Sequence, residues 1–181
     1  MKLLFVRHGQ TDWNVKKLAQ GQKDIMLNDT GIEQAKTVRE KLKFENIDAI
    51  FSSPLKRAAI TARIINEYHN LQIDYTDFLK ERNFGPLEGN SFNDDEWYKC
   101  WNYDMNTEYE NGECVQDFFK RIHIFLDEIA EKYAGKTVLL VSHGGVSMAV
   151  DAYFNGTVHG NEVPNLFIKN CDVVEYSTKN N

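Results

Sequence analysis

The chain has 181 residues, 42% of them hydrophobic and 27% charged, which suits one domain with a real core and no low-complexity tract. Its net charge of −6 argues against general nucleic-acid binding or residence on a membrane surface, both of which need basic patches. Any anion site must therefore be built locally, against the overall field.

Cys100, Cys114 and Cys171 are odd in number and lack metal-ligand spacing, the pattern of reduced thiols in a cytoplasmic protein. Leu3 to Val6 is an apolar run too short for a signal peptide or a membrane span. It reads instead as a strand covered on both faces, and it ends in Arg7-His8-Gly9. Gln10 to Asn28 lacks a sustained period and reads as a long loop with Asn14, Gln20, Gly21 and Gln22 available to a ligand. Thr30-Gly31-Ile32-Glu33 has the form of a capping box, followed by Ile32, Ala35, Val38 and Leu42 at helical spacing.

Asp48 to Ser52 is a second short buried strand. Ser53-Pro54 then reads as the cap and first position of a helix running from Leu55 to about Tyr68. Arg57 lies in its first turn, where the helix end is already positive, so for stability alone an acid would serve better. Ile73 to Tyr75 reads as a strand, and Phe78 to Gly89 as a structured loop holding Glu81. From Asn93 to Asn111 the composition turns aromatic and acidic, as expected of a cap with a short helix over about Asp94 to Trp101.

Cys114 to Tyr133 is the clearest helix, with Val115, Phe118, Ile122, Phe125 and Ile129 on one face and His123 beside it in a structural role. Val138 to Val141 repeats the first device, an apolar strand that ends in Ser142-His143-Gly144-Gly145. A helix over about Val146 to Phe154 and a strand near Asp172 to Tyr176 complete the chain. A lone histidine after a strand is ordinarily a loop residue. Two His-Gly pairs at matching strand ends, one of them beside an arginine, point to a shared site.

Leu4-Phe5-Val6-Arg7-His8-Gly9-Gln10-Thr11 resembles the signature of the histidine phosphatase superfamily, which includes the cofactor-dependent phosphoglycerate mutases. Ser53 to Ala58 resembles its second arginine motif, Glu81 to Gly89 its acid/base loop, and Ser142 to Gly145 its second histidine. The resemblance spans most of the chain. It implies an α/β fold, a three-layer α/β/α sandwich around a mostly parallel mixed sheet with the first strand central. One domain would cover residues 1–181, with a cap-like insertion at about 90–112.

By the same resemblance His8 is the nucleophile and Glu81 the general acid. Arg7, Arg57 and His143 neutralise the phosphoryl group, and Asn14, Gln20, Gly21 and Gly144 help to line the pocket. The chemistry is consistent with those residue types. Neutral imidazole can attack phosphorus, guanidiniums offer paired donors to phosphate oxygens, and a buried carboxyl can protonate a leaving oxygen. With these charges no metal or cofactor is needed, and a binuclear metal site would leave both arginines unexplained.

The expected substrate is a small phosphate ester. Mutases of this family usually carry a longer insertion with an arginine pair, a serine before the glycine at Gly21, and Glu-Arg-His-Tyr-Gly in the acid/base loop. Here Tyr98 to Gly112 holds Lys99 and no arginine, the residue before Gly21 is Gln20, and the loop reads Glu81-Arg82-Asn83-Phe84-Gly85. Hydrolysis is the favoured reading and mutase activity the alternative. A catalytically dead relative would have lost one of these groups, and the acidic, aromatic cap suggests a leaving group with an apolar or cationic part.

Overall fold

The computed structural model describes residues 1–91, 94–156, 159–160 and 167–177. Five strands form one sheet: β1 (Lys2–Arg7), β2 (Ala49–Ser52), β3 (Ile73–Tyr75), β4 (Thr137–Ser142) and β5 (Val173–Ser177), in the order β3-β2-β4-β1-β5. The pairs β1–β4, β2–β4 and β2–β3 are parallel, and β5 alone runs antiparallel along β1. The middle place belongs to β4, with β1 beside it, which corrects the expectation that the first strand is the central one. A strand so placed is covered on both faces, hence the unbroken apolar runs.

Successive residues of these strands feed opposite layers. Leu3, Phe5, Val138 and Leu140 join one buried cluster with α5 (Val115–Lys132) and α6 (Gly144–Asn155). Leu4, Val6, Leu139 and Val141 join the other, against α2 (Asp29–Leu42) and α3 (Lys56–Ile65). His123 links two helices of the first layer, its Nε2–H donating to the Ala149 carbonyl at 2.9 Å. These are the helix, sheet and helix layers of an α/β sandwich.

Two helix starts differ from expectation. Asn28, not Thr30, caps α2: its backbone is extended and its side chain accepts the Gly31 N–H at 2.9 Å, whereas Thr30 already lies within the helix. Ser53 does not occupy the cap position of α3, which falls on Leu55 with no side-chain cap bond; the Ser53 hydroxyl oxygen accepts the Leu55 N–H at 3.3 Å, ahead of the first turn, and also meets the His143 ring. Inside the long loop, Asp12–Val15 forms a short helix, α1, capped by Thr11. The expected cap helix is present as α4 (Asp94–Trp101), whereas residues 92–93 of the expected insertion lie outside the described residues.

Candidate active site

Strand register does the first part of the assembly. Arg7 pairs with Ser142 across the parallel β1–β4 ladder, so the residues that follow, His8 and His143, leave the sheet side by side. Their ring centroids are 5.2 Å apart. The His8 N–H donates to the Ser142 carbonyl at 2.8 Å, and the Ser53 N–H at the end of β2 donates to the Val141 carbonyl at 3.1 Å. The site thus lies beyond the carboxyl ends of three parallel strands, the usual place for a ligand in an open α/β sheet.

Hydrogen bonds then fix the chemistry of each ring. A carbonyl only accepts, so His8 Nδ1, 2.7 Å from the Gly9 oxygen, carries the proton and Nε2 keeps its lone pair. Burial, with the charges of Arg57 and Arg7, holds this imidazole well below its ordinary pKa and therefore neutral. His143 has the opposite tautomer. Its Nδ1 accepts from Arg57 Nε at 3.2 Å, and its Nε2–H donates to the Ser53 hydroxyl at 2.7 Å. Burial, then Arg57, likewise depresses its pKa.

Arg57 is fully buried. Besides the His143 contact, Nη1 donates to the Lys23 carbonyl and Nη2 to the Gly21 carbonyl, both at 2.7 Å. Of five guanidinium N–H groups this leaves one on each η nitrogen. Thr61 joins Arg57 to the first motif, accepting the Gly9 N–H at 3.1 Å and donating to the Arg57 carbonyl at 2.8 Å.

Arg7 donates from Nη1 to the Ile168 carbonyl at 2.7 Å and lies 4.2 Å from the Phe167 ring centre. Its Nε is buried without a hydrogen-bond partner among the described residues, as a donor meant for a ligand oxygen would be. Burial lowers the pKa of both arginines to about 10, so they stay charged at neutral pH.

Glu81 is held from two sides: Oε1 accepts the Arg82 N–H at 2.8 Å and Oε2 the Gly145 N–H at 2.9 Å. Burial raises its pKa against the pull of those amides and of Arg57 and Arg7. Its loop is tied to β4 by the Ser142 hydroxyl, 2.6 Å from the Leu79 carbonyl. Gly145 leaves room for the carboxyl, since a Cβ there would lie 2.2 Å from Glu81 Oε1. Gly21 is required for a second reason as well. Its φ is +49°, a left-handed value, and a Cβ would lie 2.0 Å from Glu88 Oε1, which itself accepts the Gln22 N–H at 2.8 Å.

Arg7, His8, Asn14, Gln20, Gly21, Arg57 and Glu81 line one inner cavity of about 80 Å³, closed by Phe84, Trp97, Trp101 and Phe167. Asn14 and Gln20 are joined through the Thr11 hydroxyl, 3.0 Å from Asn14 Oδ1 and 3.1 Å from Gln20 Oε1. His143 and Gly144 stand behind this lining, and His143 acts on it through Arg57. Sequence reasoning missed Ser53 as the partner of His143. It also missed Trp13, Leu18, Phe167 and Asn170, which line an outer vestibule of about 400 Å³ that shares Arg7, Asn14, Leu18 and Trp97 with the cavity.

A neutral histidine, two buried guanidiniums and a carboxyl whose pKa burial raises are thus gathered around one small cavity. The chain belongs to the histidine phosphatase superfamily (branch 1), whose family model matches residues 3–181. Among its relatives is the uncharacterized phosphatase PhoE of Bacillus subtilis, 40% identical over 151 residues, covering 83% of this chain and 76% of that one. A probable phosphoglycerate mutase, GpmB, of Yersinia pestis is 35% identical over 150 residues, covering 80% and 70%. A phosphoserine phosphatase of Entamoeba histolytica, solved with 3-phosphoglyceric acid, superposes with a TM-score of 0.84 at 28% identity, covering 98% of each chain.

Proposed function

We propose that this protein is a metal-independent phosphatase that hydrolyses a small phosphate monoester through phosphohistidine at His8. The observation that carries the reading is the His8 tautomer: Nδ1–H is committed to the Gly9 carbonyl, so the lone pair of Nε2 is the one available to phosphorus. Arg7 and Arg57 meet the phosphoryl oxygens with charge that needs no reorganisation during the reaction. Nε2 attacks phosphorus as the ester P–O bond breaks, and the Glu81 proton goes to the departing oxygen. In the second half Glu81 takes a proton from water, whose oxygen attacks phosphorus while the P–N bond breaks and neutral His8 returns.

The positive charge on the phosphorylated ring is shared through Nδ1–H with the Gly9 carbonyl. His143, pinned by Ser53, orients Arg57. The segment over about 90–112 serves as the cap, presenting Trp97 and Trp101 to the cavity. Three free cysteines, Cys100, Cys114 and Cys171, support a reducing, cytoplasmic location, and no helix among the described residues is long and apolar enough to cross a membrane.

The test is turnover of a phosphate monoester panel that includes 3-phosphoglycerate with its bisphosphate. The expected product is inorganic phosphate, and acid quenching traps an acid-labile, hydroxide-stable phosphoryl group that is absent from His8→Ala. Isomerisation without phosphate release would return the protein to the mutases. Labelling that persists in His8→Ala would overturn the nucleophile.

A further inference from the structure

Resting on the phosphatase reading, we propose that the vestibule is a leaving-group site for esters whose alcohol half carries a flat aromatic or heteroaromatic ring, neutral or anionic. Trp13, Trp97 and Phe167 supply three aromatic side chains to the lining of the vestibule, which shares Arg7 with the cavity where the phosphate would lie. They come from three separate stretches of chain, and each is braced. A Cβ on Gly89 would lie 3.3 Å from Trp13 Cη2, so that ring rests on glycine backbone. Trp97 meets Trp101 at 5.7 Å between ring centres and Phe167 at 6.1 Å, both edge to face. Phe167 lies over the Arg7 guanidinium and yet stays 40% exposed.

Phe167, held in place and yet partly exposed, offers a surface for stacking, flanked by the half-buried rings of Trp13 and Trp97. The charge of the walls narrows the class further. Lys17 stands at the rim and Arg7 at the base, while Asn14 and Asn170 offer neutral polar groups. Among the described lining residues Glu81 is the only carboxylate, and it belongs to the inner cavity. Among the described residues the acids of the cap line neither space, and the described charges nearest the vestibule, Lys17 and Arg7, favour a neutral or anionic leaving group over a cationic one.

The experiment compares alkyl esters of similar leaving-group basicity, so that stacking is separated from leaving-group activation. The substrates are 2-phenylethyl, propyl and 2-aminoethyl phosphate, and kcat/KM is read from phosphate release. The 2-phenylethyl ester is expected to exceed propyl by about ten- to a hundredfold, the effect of burying one aromatic ring, with 2-aminoethyl at or below propyl. Trp97→Ala and Trp13→Ala each lower the phenylethyl-to-propyl ratio by about three- to tenfold, and Trp97→Phe holds it. Thermal melts identify folded variants, and if one alanine variant does not fold the other carries the comparison. A wild-type ratio near one, or a ratio unmoved in the folded variants, overturns this inference alone. Failure to hydrolyse any of the three esters overturns the phosphatase reading beneath it.

Discussion

Replacing Glu81 by glutamine separates proton donation from everything else this carboxyl does. Each oxygen accepts one backbone N–H, from Arg82 and from Gly145. Glutamine keeps the volume and one acceptor but turns its NH2 towards the other amide, leaving one buried donor unpaired. That costs about 1–3 kcal/mol, which in a chain of this size lowers Tm by roughly 2–12 °C. The catalytic loss is larger and selective. An alkyl phosphate releases a strongly basic alkoxide, and losing its general acid should slow His8 phosphorylation by about 10²–10⁴-fold.

p-Nitrophenyl phosphate releases a stable anion that needs no proton, so its first step should fall by less than about tenfold. Rapid-quench measurement of both esters reads the two rates directly. Phosphohistidine should accumulate in the variant, because the attacking water has lost its base. Equal loss on the two esters without accumulation refutes the acid/base assignment. Glu88 would not replace Glu81, since Glu81 lines the cavity and Glu88 is absent from its described lining, its Oε1 accepting the Gln22 and Phe84 amides.

Gly145→Ala should reproduce the alkyl-ester defect without touching a titratable group, because its Cβ would displace Glu81 and approach Trp101 Cη2 at 2.7 Å; unchanged alkyl-ester kinetics would show that the contact is soft. Arg57→Ala should lower kcat/KM by about one to three orders of magnitude, and also Tm, since the Gly21 and Lys23 carbonyls lose their donor. A surface role for Arg57 predicts neither loss. His8 and His143 are both depressed in the fold, so their contribution to stability is complete above the unfolded value near 6.5 and is lost as pH falls below it. Scanning calorimetry should therefore show Tm falling on acidification below about pH 6.5, more weakly in His8→Gln.

The strands and helices were legible because each is covered on a face the sequence declares. Leu3 to Val6 and Val138 to Val141 are apolar throughout because both faces are buried, and the abrupt change at Arg7 and Ser142 marks where the sheet ends. Arg57 stood out in the first turn of a helix, where stability alone would choose an acid, and His8 and His143 stood out as histidines at matching strand ends. What stayed hidden depends on contacts far apart in the chain. Ser53 looks like a helix cap in its local context, and its hydroxyl does accept the Leu55 N–H, but only the position of His143, ninety residues on, gives it the second partner that matters to the site. Phe167 and Asn170 fall in a stretch with no period and reach the site because Arg7 and His8 hold it, through the Ile168 carbonyl and through the His8 carbonyl that accepts from Asn170 Nδ2 at 2.9 Å.

The pairing of Arg7 with Ser142 has a consequence for how the chain folds. The two histidines owe their adjacency to the alignment of two strands that are distant in sequence. A slip of one residue would turn Leu4 and Val6 towards the opposite layer, and a slip of two would move one histidine along the sheet by about 6.6 Å. Either error leaves a collapsed, largely helical and stranded molecule in which His8 has lost Ser142 as its anchor. Recovery of secondary structure during refolding can therefore run ahead of recovery of turnover, and the interval between them measures how long the chain takes to find its alignment.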